Sequence, residues 1–396
     1  MLSLDEAYRR LLVRAHQTNG ETVGLDQALG RVLVEPRVVA GNDVPPFANS
    51  AMDGWALRSA DTPEALQIAG EVVAGAAEPP VVQPGQAIRI WTGAPLPHGA
   101  DAVVPLEDVE ESGPVVRVPP TTPGAFVRLA GSDTPAGTEV CLTGALTPAA
   151  IAVLASLGVA EVVVRRCPVV AILSTGDELA PIGAPLGPAQ IHDTNGVALA
   201  AAVREAGALP LLLDPVVDDP AAVEAALRTA SKQADLLVSS GGVSVGRHDH
   251  VRTVLERHGS LDFWRIAVQP GKPLAVGAYG GVTVIGLPGN PVSALVTFEL
   301  FVRPFIRTML GLAGDGRLRL SARPETRIPK DPDRRAFLRV RVWREKGETY
   351  ARATGGQGSA QLRPLAEANA LLMVPEGEEA ADPNRYYEAI VTAEFS

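Results

Sequence analysis

From residue 169 to 310 the chain alternates short apolar runs with segments of helical period, and this alternation narrows its fold more than any other feature. "VVAILST" precedes "TNGVALAAAVREAG". "LPLLLDPVV" precedes "AAVEAALRTASK", and "DLLVSS" precedes "HVRTVLERHG" and "LDFWRIAV". Strands that read as near-continuous apolar runs, each followed by a helix, belong to a mostly parallel sheet covered on both faces. "LAVGA" and "VTVIGL" flank "YGG", a hairpin turn, and "PVSALVTFELFVRPFIRTML" reads as a long helix. Ligands of such open sheets sit beyond the carboxyl ends of the strands. The loops that follow successive strands are "TGDE" (175–178), "VDD" (217–219), "GGVSVGRHD" (241–249) and "QPGKP" (269–273). The hairpin reverses the chain, so the next returning strand brings "LPGNP" (287–291) to the same rim. Five loops thus converge, three of them glycine-rich and four of them charged.

Each loop also has a purely structural reading. Asp219 before Pro220 is an N-cap, and Asn290 before Pro291 reads the same way. A helix N-terminus on this rim nevertheless offers free N–H groups to an anion. Gly241 and Gly242 either permit a tight turn or let backbone donors approach a ligand, with Ser244 adding a hydroxyl. His248 and His250 have metal-pair spacing but no visible third ligand. Asp249, a carboxylate beside a phosphate-friendly loop, suits Mg²⁺ better. Lys272 stands between Gly271 and Pro273 in a chain with only four lysines, which marks it as a fixed cation for an anionic ligand.

Outside this region the texture changes. Ser3-x-x-Glu6 is a capping box opening a first helix, and a second short helix is expected over Leu25–Val34. Residues 41–137 carry short runs such as "WALR", "IRIW" and "VVRV" punctuated by Pro, Gly and Asp, the pattern of a small β unit. "TPAAIAVLASLG" returns to helix, with Thr147 as N-cap and Pro148 at the first position. After Gly311 the chain is all-β. The expected domains are therefore 1–40 with 138–166 (discontinuous and partly helical), 41–137 (inserted β), 167–312 (α/β) and 313–396 (β). A net charge of −10 argues against nucleic acid and anionic membrane as partners. Cys141 and Cys167 lack disulfide or metal spacing, the start of the chain lacks a signal peptide's basic and apolar regions, and the apolar stretch 149–160 is too short for a bilayer. Together these features predict a cytoplasmic protein.

Seven stretches resemble, in order, the molybdopterin molybdenumtransferase family, to which the C-terminal domain of gephyrin also belongs. They are "PPFANSAMDGWAL", "IRIWTGAPLP", "ILSTGDEL", "IHDTN", "SSGGVSVGRHD", "PGKPLAVG" and "GLPGNPVSA", with weaker matches "AFLR" and "GGQGSA" further on. The resemblance implies a three-layer molybdopterin-binding α/β domain, a C-terminal β-barrel and an elongated homodimer. It implies that molybdate and adenylylated molybdopterin are substrates, that Mg²⁺ assists cleavage of the pyrophosphate link, and that AMP leaves. The molybdopterin adenylyltransferase becomes a further partner.

Carried over residue by residue, the resemblance places Ser244 and Asp249 at the phosphate and Mg²⁺ end, with Ser174, Thr175, Gly241 and Gly242 around the pterin nucleotide. Glu178 and Asp218 become further acidic members, while Pro288 and Pro291 shape the opposite wall. Lys272, Pro273, Ser293, Arg339 and Ser359 form the molybdate pocket. Asp53, Thr92 and Asp133 lie on the inserted β unit, which the family pattern brings from the partner subunit. Two departures stand out: Gln269, where the family often has lysine, and "RLAGSD", which keeps only Arg128 of an arginine-rich run. A lysine at 269 is expected to strengthen molybdate capture, unless Gln269 faces away and only caps the turn before Pro270. A non-catalytic pterin-binding scaffold and the sister adenylyltransferase are the competing readings. The second lacks the inserted β unit and the barrel.

Overall fold

Helix α1 (Leu4–Leu12) starts at Ser3, whose Oγ accepts the Glu6 N–H at 3.2 Å. Ala7 and Leu11 on its inner face are fully buried in a cluster that also holds Ile266 and Phe305. The computed structural model describes residues 1–243 and 249–395. Contacts divide the chain into Thr22–Val164 and a second unit, Met1–Glu21 with Arg165–Ser396. The first helix therefore packs with the α/β region, whereas the sequence groups it with 138–166.

In the Thr22–Val164 unit, a six-stranded sheet comprises β1 (Gly54–Leu57), β2 (Ala65–Val72), β3 (Gln86–Ile90), β4 (Ala102–Pro105), β5 (Glu110–Ser112) and β6 (Val115–Arg117). Their order is β4-β1-β3-β2-β6-β5. Alternation along β1 sends Trp55 and Leu57 into one apolar cluster and Ala56 into another, so both faces are covered. The two halves of the discontinuous segment rejoin. Arg37–Val39 pairs with Glu139–Cys141, and Ala28, Leu33, Leu146, Leu154 and Val162 share one cluster. Helix α2 (Pro148–Ser156) is capped by the Thr147 side chain. The helix expected over Leu25–Val34 shrinks to a 3-10 turn, Leu25–Gln27. Gly30 takes a left-handed φ of 75°, and Val32 and Leu33 enter β-bridges with Ala145 and Val164 instead.

The α/β part of the other unit runs β7 (Val169–Ser174), α3 (Thr194–Glu205), β8 (Leu209–Leu212), α4 (Pro220–Ala230), β9 (Leu236–Ser240), α5 (His250–His258), β10 (Ser260–Trp264), β11 (Ala275–Tyr279) and β12 (Val282–Leu287). Sheet order is β8-β7-β9-β12-β11-β10. Strands β8, β7, β9 and β12 are parallel, while β11 runs against both of its neighbours. Val170 and Ile172 enter the cluster shared with α3, and Ala171 and Leu173 enter the one shared with α4 and α5. That split produces three layers. The long C-terminal helix divides into α6 (Pro291–Thr297) and α7 (Arg303–Met309) around a π turn, Phe298–Val302.

Strands β13 (Arg319–Pro324), β14 (Arg335–Glu345), β15 (Glu348–Ala353), β16 (Ala370–Val374) and β17 (Tyr387–Val391) close a five-stranded barrel in the ring order β14-β15-β13-β17-β16. The start of β14 also pairs in parallel with Val268–Gln269, which ties the "QPGKP" loop to the barrel. Among the described residues, no helix is long and apolar enough to cross a membrane.

Candidate active site

A cleft of about 1040 Å³ opens where the parallel strands end, and all five rim loops contribute to it. Ser174, Thr175 and Glu178 come from the loop after β7, Asp218 from the loop after β8, and Gly241, Gly242 and Asp249 from the loop after β9. Lys272 and Pro273 follow β10, while Pro288, Pro291 and Ser293 follow β12. Ser359 and Gln357 reach the cleft from a loop of the barrel.

The floor is polar. Ser174 and Thr175 are buried, and their hydroxyls have no hydrogen-bond partner among the described residues. Buried hydroxyls are nearly always paired, so these two retain unused hydrogen-bonding capacity at the floor of the cleft. Gly241 has a φ of +92°, and a Cβ there would stand 2.9 Å from the Thr175 carbonyl oxygen. Only glycine fits that crossing. Asp249 stands at the N-cap position of α5 without a side-chain cap hydrogen bond, and it is buried, with 9% of its surface exposed. Ser244 lies outside the described residues.

Two polar side chains that the sequence did not single out hold this floor in shape. Asn195 Nδ2 donates to Ser240 Oγ and to the Gly289 carbonyl, both at 2.7 Å, joining the ends of β9 and β12. Asp193 caps α3 by accepting the Gly196 N–H at 2.9 Å. The "IHDTN" motif carried the signal for both, since an Asx cap followed two residues later by Asn puts two short polar side chains on one helix start.

On the other side of the cleft, Gly271 has φ +120°, and a Cβ there would stand 2.4 Å from Thr297 Cγ2. The turn is therefore closed tightly on α6, and Lys272 is left exposed at its tip. Asn290 was expected to cap α6, but it makes no side-chain cap hydrogen bond. Its Nδ2 donates to Ser359 Oγ at 3.0 Å, and the Val292 N–H donates to the Ser359 carbonyl at 3.1 Å. Ser359 thus takes over the helix start.

Arg339 does not line the cleft. Its side chain is 1% exposed, and Nη2 donates to the carbonyls of Gly356 and Gly358 at 2.9 and 3.1 Å. Burial pushes its pKa below the ordinary arginine value. Gln357 clamps the backbone of the same residue from both sides, so Arg339 shapes the loop that presents Ser359. Among the described residues, the arginine that lines the cleft is Arg334, five residues earlier. The stretch "DRRAFLR" offers three arginines, Arg334, Arg335 and Arg339, and their spacing alone does not tell which of them reaches the cleft.

Asp53, Thr92 and Asp133 lie on the Thr22–Val164 unit and are not among the residues of this cleft. Two of them touch: Thr92 donates its N–H and its Oγ1 to Asp53 Oδ1, at 2.7 and 2.6 Å. These hydrogen bonds hold the Asp53 carboxyl below its usual pKa. Asp133 anchors a turn through its N–H, which donates to the Val44 carbonyl at 3.0 Å.

Family models match along most of the chain: the MoeA N-terminal region (domain I and II) over residues 2–158, a probable molybdopterin binding domain over 171–308, and the MoeA C-terminal region (domain IV) over 321–388. Molybdopterin molybdenumtransferase 2 of Mycobacterium tuberculosis is 40% identical, covering 95% of this chain and 96% of its own. The molybdopterin molybdenumtransferase of Haemophilus influenzae is 37% identical, with 95% of each chain covered. A crystal structure of the molybdopterin biosynthesis moeA protein from Pyrococcus horikoshii superposes with a TM-score of 0.83 at 30% identity, covering 99% of this chain and 100% of that one.

Proposed function

This chain belongs to the molybdopterin molybdenumtransferase family, enzymes of molybdenum cofactor biosynthesis, and we propose that it inserts molybdenum from molybdate into adenylylated molybdopterin with release of AMP. The observation that carries this reading is the composition of the cleft at the sheet rim. Carboxylates of Glu178, Asp218 and Asp249 share it with the cations Lys272 and Arg334 and with the orphaned hydroxyls of Ser174 and Thr175. Such a site accepts a pyrophosphate ester and a small oxyanion together.

Within this reading, backbone donors of the Gly241–Gly242 turn and the two hydroxyls bind the nucleotide. Pro288 and Pro291 wall the pterin side, and Ser293 and Ser359 supply hydroxyls beside Lys272 and Pro273. Asp249 offers an oxygen ligand of the kind Mg²⁺ takes, and Glu178 and Asp218 line the same cleft. Among the described residues no three His, Cys, Asp or Glu side chains form a metal cage. That donor set fits Mg²⁺, which is usually held by one or two carboxylates together with substrate phosphates. The ion would neutralise charge that develops on the pyrophosphate as its bridge opens. Arg339 acts from behind, by shaping the loop of Ser359. Asp53, Thr92 and Asp133 complete the site from the partner subunit of a homodimer, the reaction is cytoplasmic, and the molybdopterin adenylyltransferase is the partner that hands over the substrate.

Incubation with adenylylated molybdopterin, with and without molybdate, tests the proposal. Molybdate-stimulated AMP release is the expected result. Tight binding of the pterin nucleotide with no AMP release in either condition would make the protein a scaffold.

A further inference from the structure

The loop between Lys330 and Arg335 carries a relay of contacts that ends in the cleft. Gln269 lines the cleft, and its Oε1 accepts the Asp331 backbone N–H at 2.9 Å. Asp331 Oδ2 accepts from Arg334 Nε at 2.8 Å and also from Nη2. Its other oxygen, Oδ1, accepts the Asp333 N–H at 3.0 Å. Beneath them the buried Lys330 draws the loop together, its Nζ donating to the carbonyls of Asp331 and Arg334 at 3.1 and 2.5 Å. Both carboxylate oxygens of Asp331 are thus engaged. The guanidinium of Arg334 has five N–H donors, and those not given to Asp331 have no acceptor among the described residues.

On the premise that the cationic side of the cleft takes molybdate, we infer that Asp331, oriented by Gln269, is a positioning residue that holds the Arg334 guanidinium in place for the oxyanion. An arginine side chain left to itself loses rotamer freedom when it binds, and a carboxylate that fixes Nε removes that cost in advance. The Arg334 hydrogen bonds keep the Asp331 carboxyl below its usual pKa, so the pair stays ionised at neutral pH. Gln269 then contributes by accepting an N–H two links away from the anion rather than by touching it.

Charge alone and positioning predict opposite signs, which makes the inference testable. Asp331 is a negative charge near an anion site, and by Coulomb's law its removal should tighten anion binding. Inorganic molybdate is titrated calorimetrically into the full chain and into Asp331→Ala, Asp331→Asn, Arg334→Ala and the Asp331→Ala/Arg334→Ala double variant, with thermal melts confirming the fold of each. Asp331→Ala should weaken binding about three- to tenfold, and in the Arg334→Ala background the same change should cost nothing further. Asp331→Asn keeps an oxygen acceptor and should rescue binding to within about twofold of wild type. Tighter or unchanged binding by folded Asp331→Ala overturns the relay while leaving the molybdate site standing. A wild-type chain that binds no molybdate overturns the reading of the cationic side itself, and the relay with it.

Discussion

The two sides of the cleft are built in different ways. Glu178, Asp218 and Asp249 stand on loops that directly follow β7, β8 and β9, three adjacent parallel strands. Lys272 and Arg334 come from the far edge, beyond β10, and from the loop entering the barrel strand β14. Strands β9 and β10 are three places apart, roughly 14 Å at about 4.8 Å per strand. The acidic side is positioned first by the backbone ladder of one sheet, with Asn195 bracing the ends of β9 and β12. The cationic side is positioned by hydrogen bonds between segments remote in sequence: Gln269 to Asp331, Asn290 to Ser359, and Arg339 to Gly356 and Gly358. Substitutions on the first side should therefore act locally. On the second they should travel.

The sharpest separation is expected at Asp249. Asp249→Ala should keep the fold, because α5 remains packed through Val251, Val254 and Leu255. AMP release should nearly stop, with a loss of about 2 to 4 kcal/mol of barrier stabilisation if the carboxylate holds Mg²⁺. Molybdate binding measured alone should stay unchanged. Near-normal turnover by folded Asp249→Ala protein would remove the residue from the site.

Next in size is a complementation experiment. Asp53→Ala and Asp249→Ala subunits, each inactive, are mixed and allowed to exchange. If the site is shared between the subunits of a C2 dimer, random pairing makes half of the dimers mixed, each with one intact site, and activity returns to about a quarter of wild type. No recovery after demonstrated exchange would confine catalysis to one chain.

The difference between the two sides also explains what could be read in advance. The α/β layers, the rim and the acidic residues follow from strand periodicity, because the ends of successive strands are fixed once the sheet is known. The helix expected over Leu25–Val34 is not formed because Val32 and Leu33 bridge to residues more than a hundred positions away, which local sequence does not show. Arg334 was missed and Arg339 overvalued for a related reason. Arg334 precedes β14, whereas Arg339 lies within it and pairs with Leu371 of β16, and local spacing does not reveal which arginine that pairing buries. Asn195, Gln357 and Asp331 act through contacts with distant loops, a kind of information that local spacing does not hold.

A smaller effect is expected at the exposed cation. Lys272→Ala should raise the molybdate concentration for half-maximal AMP release about tenfold, the usual size of one charge-assisted contact. Its maximal rate at saturating molybdate should fall little. Added salt should reduce the difference, since Lys272 is open to solvent. A fall in maximal rate with unchanged molybdate dependence would move Lys272 to the acidic side's chemistry and dissolve the division drawn above.

The smallest effect is expected for Gln269→Lys, because two opposing terms meet there. An ammonium at about 4 to 6 Å from molybdate, with an effective dielectric near 20, gains roughly 3 to 4 kcal/mol per unit charge before desolvation. Crowding against Lys272 and dehydration leave a net gain of about 1 kcal/mol from charge. Lysine, however, has no acceptor for the Asp331 N–H that Gln269 Oε1 now satisfies. Losing that hydrogen bond costs about 1 kcal/mol, and it also frees the carboxylate that fixes Arg334. The terms should cancel, leaving the half-maximal molybdate concentration within about threefold of wild type, with steeper salt dependence. Gln269→Met removes the acceptor and adds no charge, so it should weaken binding where Gln269→Lys does not. If Gln269→Lys instead binds molybdate many-fold tighter and Gln269→Met is silent, local charge governs this side of the cleft, and the long-range hydrogen bonds are packing only.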